Sequence, residues 1–201
     1  KNRDNMKRLG ISIIAITMVM LASCDALQTG LKSAYNLANC DYKYESISNL
    51  KISGIDMSKG LNPLAIPQIL SILTGNASSI PLDFTLNLNV KNPNSGAAAF
   101  QALQYIISVD DVQFTTGNFA QPFSVNAGET KVLPMSIGLD IAQLMKSNSR
   151  SSIENIVKNF LGIGSEPSQI TVQLKPSFKV GDQFFTSPLY IPVSFSFGGD
   201  K

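Results

Sequence analysis

The chain has 201 residues, 44% of them hydrophobic and 15% charged. That is enough apolar material for one domain with a core, and too little charge for a disordered chain. It contains no histidine and no tryptophan, so the commonest general base and metal ligand is missing, which argues against an enzyme. The formal net charge of +2 is weighted towards the amino terminus, where Lys1, Arg3, Lys7 and Arg8 stand against Asp4. Beyond residue 23 there are 12 basic and 13 acidic residues. A body so close to neutral, with no basic block, offers no electrostatic footprint for nucleic acid.

Residues 1–23 read as a leader. Met6 fits a translational start, Lys7 and Arg8 form a basic pair, and Leu9 to Ala22 is an apolar run of 14 residues. A membrane-spanning helix needs about 20 residues, so this run fits the core of a signal peptide better. It ends in Leu21-Ala22-Ser23-Cys24, which resembles the bacterial lipobox. The resemblance implies cleavage before Cys24 and a lipid on its thiol, with further acylation of the new amino terminus. Several acyl chains hold a protein stably where one gives only marginal membrane affinity. Cys24 is therefore the expected lipid-attachment residue, and the membrane the expected partner through that lipid.

Residues 24–41 follow as an expected lipidated tether, in which Leu27, Leu31, Ala34, Leu37 and Ala38 have the spacing of a short amphipathic helix. Cys40 has no thiol partner once Cys24 is acylated. It is either a buried structural thiol or the site of an intermolecular disulfide or redox role.

The domain is expected over residues 42–201. Tyr42 to Met57 supplies a first strand. Ile66, Ile69, Leu70 and Leu73, between Pro63 and Gly75, predict a short helix. Residues 82–91 carry the clearest strand pattern. Leu82, Phe84, Leu86, Leu88 and Val90 alternate with Asp83, Thr85, Asn87, Asn89 and Lys91, giving one buried and one wet face. Asn92-Pro93-Asn94-Ser95-Gly96 ends it as a turn.

Leu103, Tyr105, Ile107 and Val109 repeat the alternation, and Asp110-Asp111 reads as a solvated loop. Val112 and Phe114 continue up to a turn expected at Thr116-Gly117-Asn118. Phe119, Phe123 and Val125 precede a second turn at Asn126–Glu129, and Leu133, Met135, Ile137 and Leu139 form a further strand. A helical insertion follows. Asp140 to Met145 adds a turn of helix, Ser151 and Glu154 have capping-box spacing, and Ile153, Ile156, Val157 and Phe160 form its apolar stripe. Two final strands carry Ile170, Val172, Leu174, Phe178 and Val180, then Ile191, Val193, Phe195 and Phe197. About seven short alternating strands with helical insertions predict a mainly β protein, an antiparallel β-sandwich.

The run Phe84-Thr85-Leu86-Asn87-Leu88-Asn89-Val90-Lys91-Asn92-Pro93-Asn94 resembles the type 2 late embryogenesis abundant family, also called the water stress and hypersensitive response domain. Leu103–Val109, Gly117, Pro122, Gly128-Glu129 and Val132–Leu139 continue the resemblance, which covers residues 42–197. It implies an immunoglobulin/fibronectin-like sandwich, no catalytic motif to carry over, and an association with stress by analogy of fold.

Candidate chemistry is sparse. Asp110-Asp111 is the one acidic pair beyond the leader, and two adjacent carboxylates supply too few oxygens for calcium. There is no phosphate loop, Cys-x-x-Cys pair or nucleophile elbow. No catalytic, cofactor-binding or metal residue is expected. The function expected is that of a lipid-anchored, non-enzymatic cell-envelope protein at the outer membrane facing the periplasm, acting through lipid or an envelope protein partner. The alternative is a ligand-binding module with an apolar pocket between the sandwich and the inserted helices, lined by Leu70, Leu73, Val157 and Phe160.

Overall fold

Strict alternation along one segment organises the molecule. In a computed structural model, which describes residues 30, 32–57, 64–180 and 183–197, β3 (Pro81–Lys91) buries Leu82, Phe84, Leu86, Leu88 and Val90 and turns the intervening residues outward. It lies between β1 (Asp41–Ile52) and β8 (Thr130–Asp140), antiparallel to both. A two-residue strand, β2 (Ile55–Asp56), completes a sheet of order β2-β1-β3-β8.

The second sheet is centred on β9 (Ser168–Val180). One side of β9 pairs with β5 (Ala102–Val109), which pairs in turn with β6 (Val112–Phe119). Its other side is shared: β11 (Ile191–Phe197) pairs along Ser168–Leu174 and β10 (Gln183–Thr186) along Ser177–Val180, all antiparallel. β4 (Ala98–Phe100) and β7 (Phe123–Val125) form a separate short ribbon. The protein is thus mainly β and antiparallel, as expected. Seven of its eleven described strands are seven residues or longer.

Both sheets and all four described helices feed one hydrophobic cluster. Helix α1 (residues 32–38) contributes Leu37. Helix α2 (Ala65–Thr74) buries Ala65, Ile69 and Leu73; α3 (Ile141–Ser147) buries Ile141 and Ala142; α4 (Arg150–Phe160) buries Ile153, Ile156, Val157 and Phe160. Phe160 plugs the space between the sheets, with ring centroids 5.5 Å from Phe84 of the first sheet and 6.2 and 5.1 Å from Phe114 and Phe197 of the second. Such aromatic contacts add directional energy to the area they bury.

Three local expectations are corrected. Thr116-Gly117-Asn118 is not a turn but continuous strand, paired with Gln104 to Ile106. The glycine is required because the Tyr105 ring crosses the backbone there. The capping box at Ser151 and Glu154 does not form. Ser149 holds the N-cap position of α4, and Glu154 pairs instead with Arg150, Nε to Oε1 at 3.1 Å. Arg150 also donates through Nη2 to the carbonyls of Leu73 and Gly75 at 2.6 and 2.7 Å, satisfying the open end of α2. Finally, the carboxyl-terminal part holds three strands and not two. β10 was not expected from the sequence.

Candidate functional site

Cys24, the expected lipid-attachment residue, lies outside the described residues, as do the leader and residues 25–29 and 31 of the expected tether. The described chain resumes on α1, and a buried asparagine cluster fixes that helix to the domain. Asn36 is buried on α1; its Nδ2 donates to the Ala97 carbonyl at 3.0 Å, and its own carbonyl accepts from Asn94 Nδ2 at 2.9 Å. Asn92 is fully buried; its Nδ2 donates to the Gly96 and Val125 carbonyls at 2.9 and 3.0 Å. Its Oδ1 accepts from the backbone nitrogen and Nδ2 of Asn94 at 3.0 and 2.8 Å. Every partner an amide can take is supplied, so burial carries little cost. The Asn-Pro-Asn run therefore does more than turn the chain: it forms the socket into which the last turn of α1 is set. Tyr42 adds a bond from Oη to the Leu37 carbonyl at 2.7 Å.

Cys40 sits under this socket, buried and free, with Sγ 3.3 Å from the Asn36 carbonyl. Burial, and secondarily the charge of Asp41, push its thiol up to about 11. It is protonated at neutral pH and shielded, which suits the structural reading of this residue. Burial likewise raises the Tyr42 hydroxyl above its ordinary value.

Between α1 and the segment joining β10 to β11 lies a groove of about 320 Å³ with a mainly apolar wall. Ala34, Tyr35 and Ala38 line it from the helix, and Pro176, Leu189 and Tyr190 from the opposite side. The loop is held to β9 by Ser187, whose backbone nitrogen donates to the Pro176 carbonyl at 2.8 Å. Tyr35 is 68% and Leu189 74% exposed. The Lys175 ammonium stands 5.1 Å from the centre of the Tyr190 ring, within cation–π range.

The groove expected between the sheets and the inserted helices is filled. Leu73, Val157 and Phe160 are buried in the core and Leu70 is half-buried against it. Asp110 and Asp111 both have positive φ, 48° and 65°, and form the two-residue turn of the β5–β6 hairpin. Asp110 is engaged structurally: its backbone nitrogen donates to the Gln169 carbonyl at 2.9 Å and its Oδ1 accepts from the Gln169 nitrogen at 2.8 Å. Among the described residues no three histidine, cysteine or acidic side chains come together as a metal site, and no described helix is long and apolar enough to cross a membrane.

A crystal structure of a protein from Archaeoglobus fulgidus matches at 14% identity over 79% of this chain and 99% of that one, with a TM-score of 0.37. A solution structure from Arabidopsis thaliana matches at 12% identity over 80% of this chain and 83% of that one, with a TM-score of 0.39. Among curated proteins none matches the chain. The family model described as Late embryogenesis abundant protein matches residues 87–194, more than half of the 201. That match runs from the second half of β3 through the Asn-Pro-Asn run into β11, and on it the chain belongs to the type 2 late embryogenesis abundant family.

Proposed function

We propose that the chain is a lipid-anchored, non-enzymatic protein of the bacterial cell envelope, held at the outer membrane by lipid on Cys24 and facing the periplasm. The domain would then be an immunoglobulin/fibronectin-like sandwich acting through lipid or protein contacts, with a stress-related role in keeping with its family. The observation that carries the reading is the order of sequence features in the leader: Lys7-Arg8, the apolar run, then Leu21-Ala22-Ser23-Cys24. A non-enzymatic role is supported by the lack of any histidine and by a Cys40 thiol held protonated by burial.

The test is fatty-acid labelling in a bacterial host. Wild type should incorporate label and run as a shortened chain. Cys24→Ala should lose the label and keep its leader. Label retained by the Cys24→Ala protein sinks the assignment.

A further inference from the structure

β11 closes one side of the second sheet, and hydrogen bonds elsewhere on β9 fix which groups its outer edge presents. At the two ends of β5, the Asp110 nitrogen donates to the Gln169 carbonyl at 2.9 Å and the Gln101 nitrogen to the Ser177 carbonyl at 2.8 Å. Odd-numbered residues of β9 therefore turn their backbone groups towards β5. The Pro176 carbonyl instead accepts from the Ser187 nitrogen, on the side of β10 and β11. Even-numbered residues of β9 thus face β11, where Leu174, Val172, Ile170 and Ser168 oppose Ile191, Val193, Phe195 and Phe197. Backbone groups alternate in direction along a strand, so Pro192, Ser194 and Ser196 turn theirs outward. Proline at 192 fits this geometry, because a strand tolerates proline where its nitrogen faces away from the sheet. Among the described residues, no backbone group bonds to the outward groups of Ser194 and Ser196.

An open edge is a template for another strand, and proteins blunt such edges with charge, proline, bulges or shortness. The other described edges carry these devices. β1 has bulges at Glu45 and at Asn49–Leu50, with Lys43 and Lys51 beside them. β6 bulges at Phe114 and β8 carries Lys131 and Pro134. β2 and β10 have two and four residues. Beyond Pro192, β11 has none of these: its pairing with β9 is unbroken, and residues 187–199 include no charged side chain.

The order of residues identifies the occupant. Val193-Ser194-Phe195-Ser196-Phe197 has the same alternation read in either direction. Laid antiparallel on a second copy about a two-fold axis at Phe195, it sets Ser194 opposite Ser196, Phe195 opposite Phe195 and Val193 opposite Phe197. Apolar residues then meet apolar residues and hydroxyls meet hydroxyls, as in favourable cross-strand pairs. The outward N–H and C=O of Ser194 meet those of Ser196 in the other copy, about four hydrogen bonds in all. Such self-complementarity is what a two-fold interface requires. On the inner face Phe195 and Phe197 are half-buried, with the Tyr44 ring of β1 stacked 4.9 Å from Phe195. An added strand would cover the side that remains open.

We infer that β11 pairs with β11 of a second copy of this chain, antiparallel and centred on Phe195, joining the two β9-centred sheets into one. The pairing is independent of the lipid attachment proposed at Cys24.

Two experiments on the full chain test it. In the first, a tagged Ser194→Cys chain is co-expressed with a differently tagged Ser196→Cys chain. Opposed residues of a hydrogen-bonded pair lie about 5.5 Å apart at Cα, within reach of a disulfide. Two copies of residue 194 would be diagonal neighbours, about 7–8 Å apart and beyond that reach. Oxidation should link the mixed pair and should link neither variant to itself, relative to the background that wild type shows through Cys24 or Cys40. Equal linking in the mixed and single samples overturns the inference. So does a linked band whose mass is not twice that of the chain, because the edge would then hold a different protein.

In the second, sedimentation in non-ionic detergent measures self-association. Ser194→Lys together with Ser196→Lys sets lysine directly against lysine, at exposed positions whose side chains bond Thr171 and Gln169 on the outer surface of the sheet. Association should weaken roughly tenfold. Mixing that chain with one carrying Ser194→Glu and Ser196→Glu should restore it. A wild type that stays monomeric, a lysine variant that associates like wild type, or a mixture that fails to re-associate overturns the inference.

Discussion

Tyr105 and Gly117 stand opposite each other on β5 and β6, and the tyrosine ring lies across the glycine's backbone. A β-carbon at 117 would come within 2.5 Å of the ring's Cζ, and closer still to its hydroxyl. By crossing there the side chain reaches the other sheet, where Oη donates to the Ser136 carbonyl of β8 at 3.5 Å. The glycine thus permits a contact between sheets that no side chain at 117 would allow. Gly117→Ala should destabilise the domain by roughly 1–3 kcal/mol through overpacking. Tyr105→Ala in the same chain should recover part of that loss, because the two positions are in contact and their effects are not additive. Denaturant titration of the two single variants and the double variant measures the coupling. Strictly additive losses would mean that the ring does not occupy the space over Gly117.

Three neighbouring positions on β3 and its turn separate core, surface and socket. Leu86 is buried, so Leu86→Ala should cost about 2–5 kcal/mol. Asn87 faces outward, yet its Nδ2 donates to the hydroxyls of Ser46 and Ser48, each at 3.0 Å. Asn87→Ala should therefore cost about 0.5–1.5 kcal/mol, more than a free surface amide. Asn92→Ala strands the Gly96 and Val125 carbonyls in a buried site. At about 1–3 kcal/mol for each buried group left unsatisfied, it should rival Leu86→Ala. A ranking with Asn92 close to zero would show that the cluster is solvated.

The same positions show what a sequence makes legible. β3 and β8 stood out because each has one dry and one wet face, which writes alternation into the chain. β1 was fainter because register shifts near Glu45 and at Asn49–Leu50 break its period. β10 has no dry face, all four residues being exposed, so nothing in its pattern betrays a strand. Gly117 imitated a turn because glycine beside asparagine is turn chemistry, while its reason for being glycine lies on another strand. Arg150 and Asn36 act on partners 77 and 58 residues away, and local spacing carries no trace of such pairs. The apolar groove likewise joins α1 to the β10–β11 segment. Its members are unremarkable in the sequence and form a group only once β9 has brought them together.

Asp140 links the end of β8 to the start of α3. Its Oδ1 accepts from the backbone nitrogens of Ala142 and Ile80 at 2.8 and 3.0 Å, and its Oδ2 from Ser79 Oγ at 2.6 Å. Burial pushes the carboxyl up, but these hydrogen bonds outweigh it and hold the group below its ordinary value of 3.8. A lowered folded value means the stabilisation is complete above the unfolded value and is lost as pH falls through the folded one. Wild type should lose stability between about pH 5 and pH 2 more steeply than Asp140→Asn, and the two curves should converge in acid. At neutral pH the variant should be weaker by about 1 kcal/mol, the usual worth of an N-cap. Parallel curves across that range would remove Asp140 from the acid response.

Cys40 reports on the seating of α1. In the Cys24→Ala chain it is the one remaining thiol, and it is covered by the helix whose Asn36 carbonyl accepts from it. With the thiol pushed from an ordinary 9.0 up to about 11, its thiolate fraction near pH 7.5 falls roughly 100-fold below that of an unperturbed cysteine. An aromatic disulfide reagent should therefore react with the folded chain at least two orders of magnitude more slowly than with the unfolded one. Asn92→Ala and Leu86→Ala offer a discriminating pair, since both destabilise the domain but only the first dismantles the socket. If α1 opens locally, Asn92→Ala should accelerate the reaction well beyond Leu86→Ala at matched global stability. Equal acceleration would mean that Cys40 is exposed only by unfolding of the whole domain, and that α1 does not move on its own.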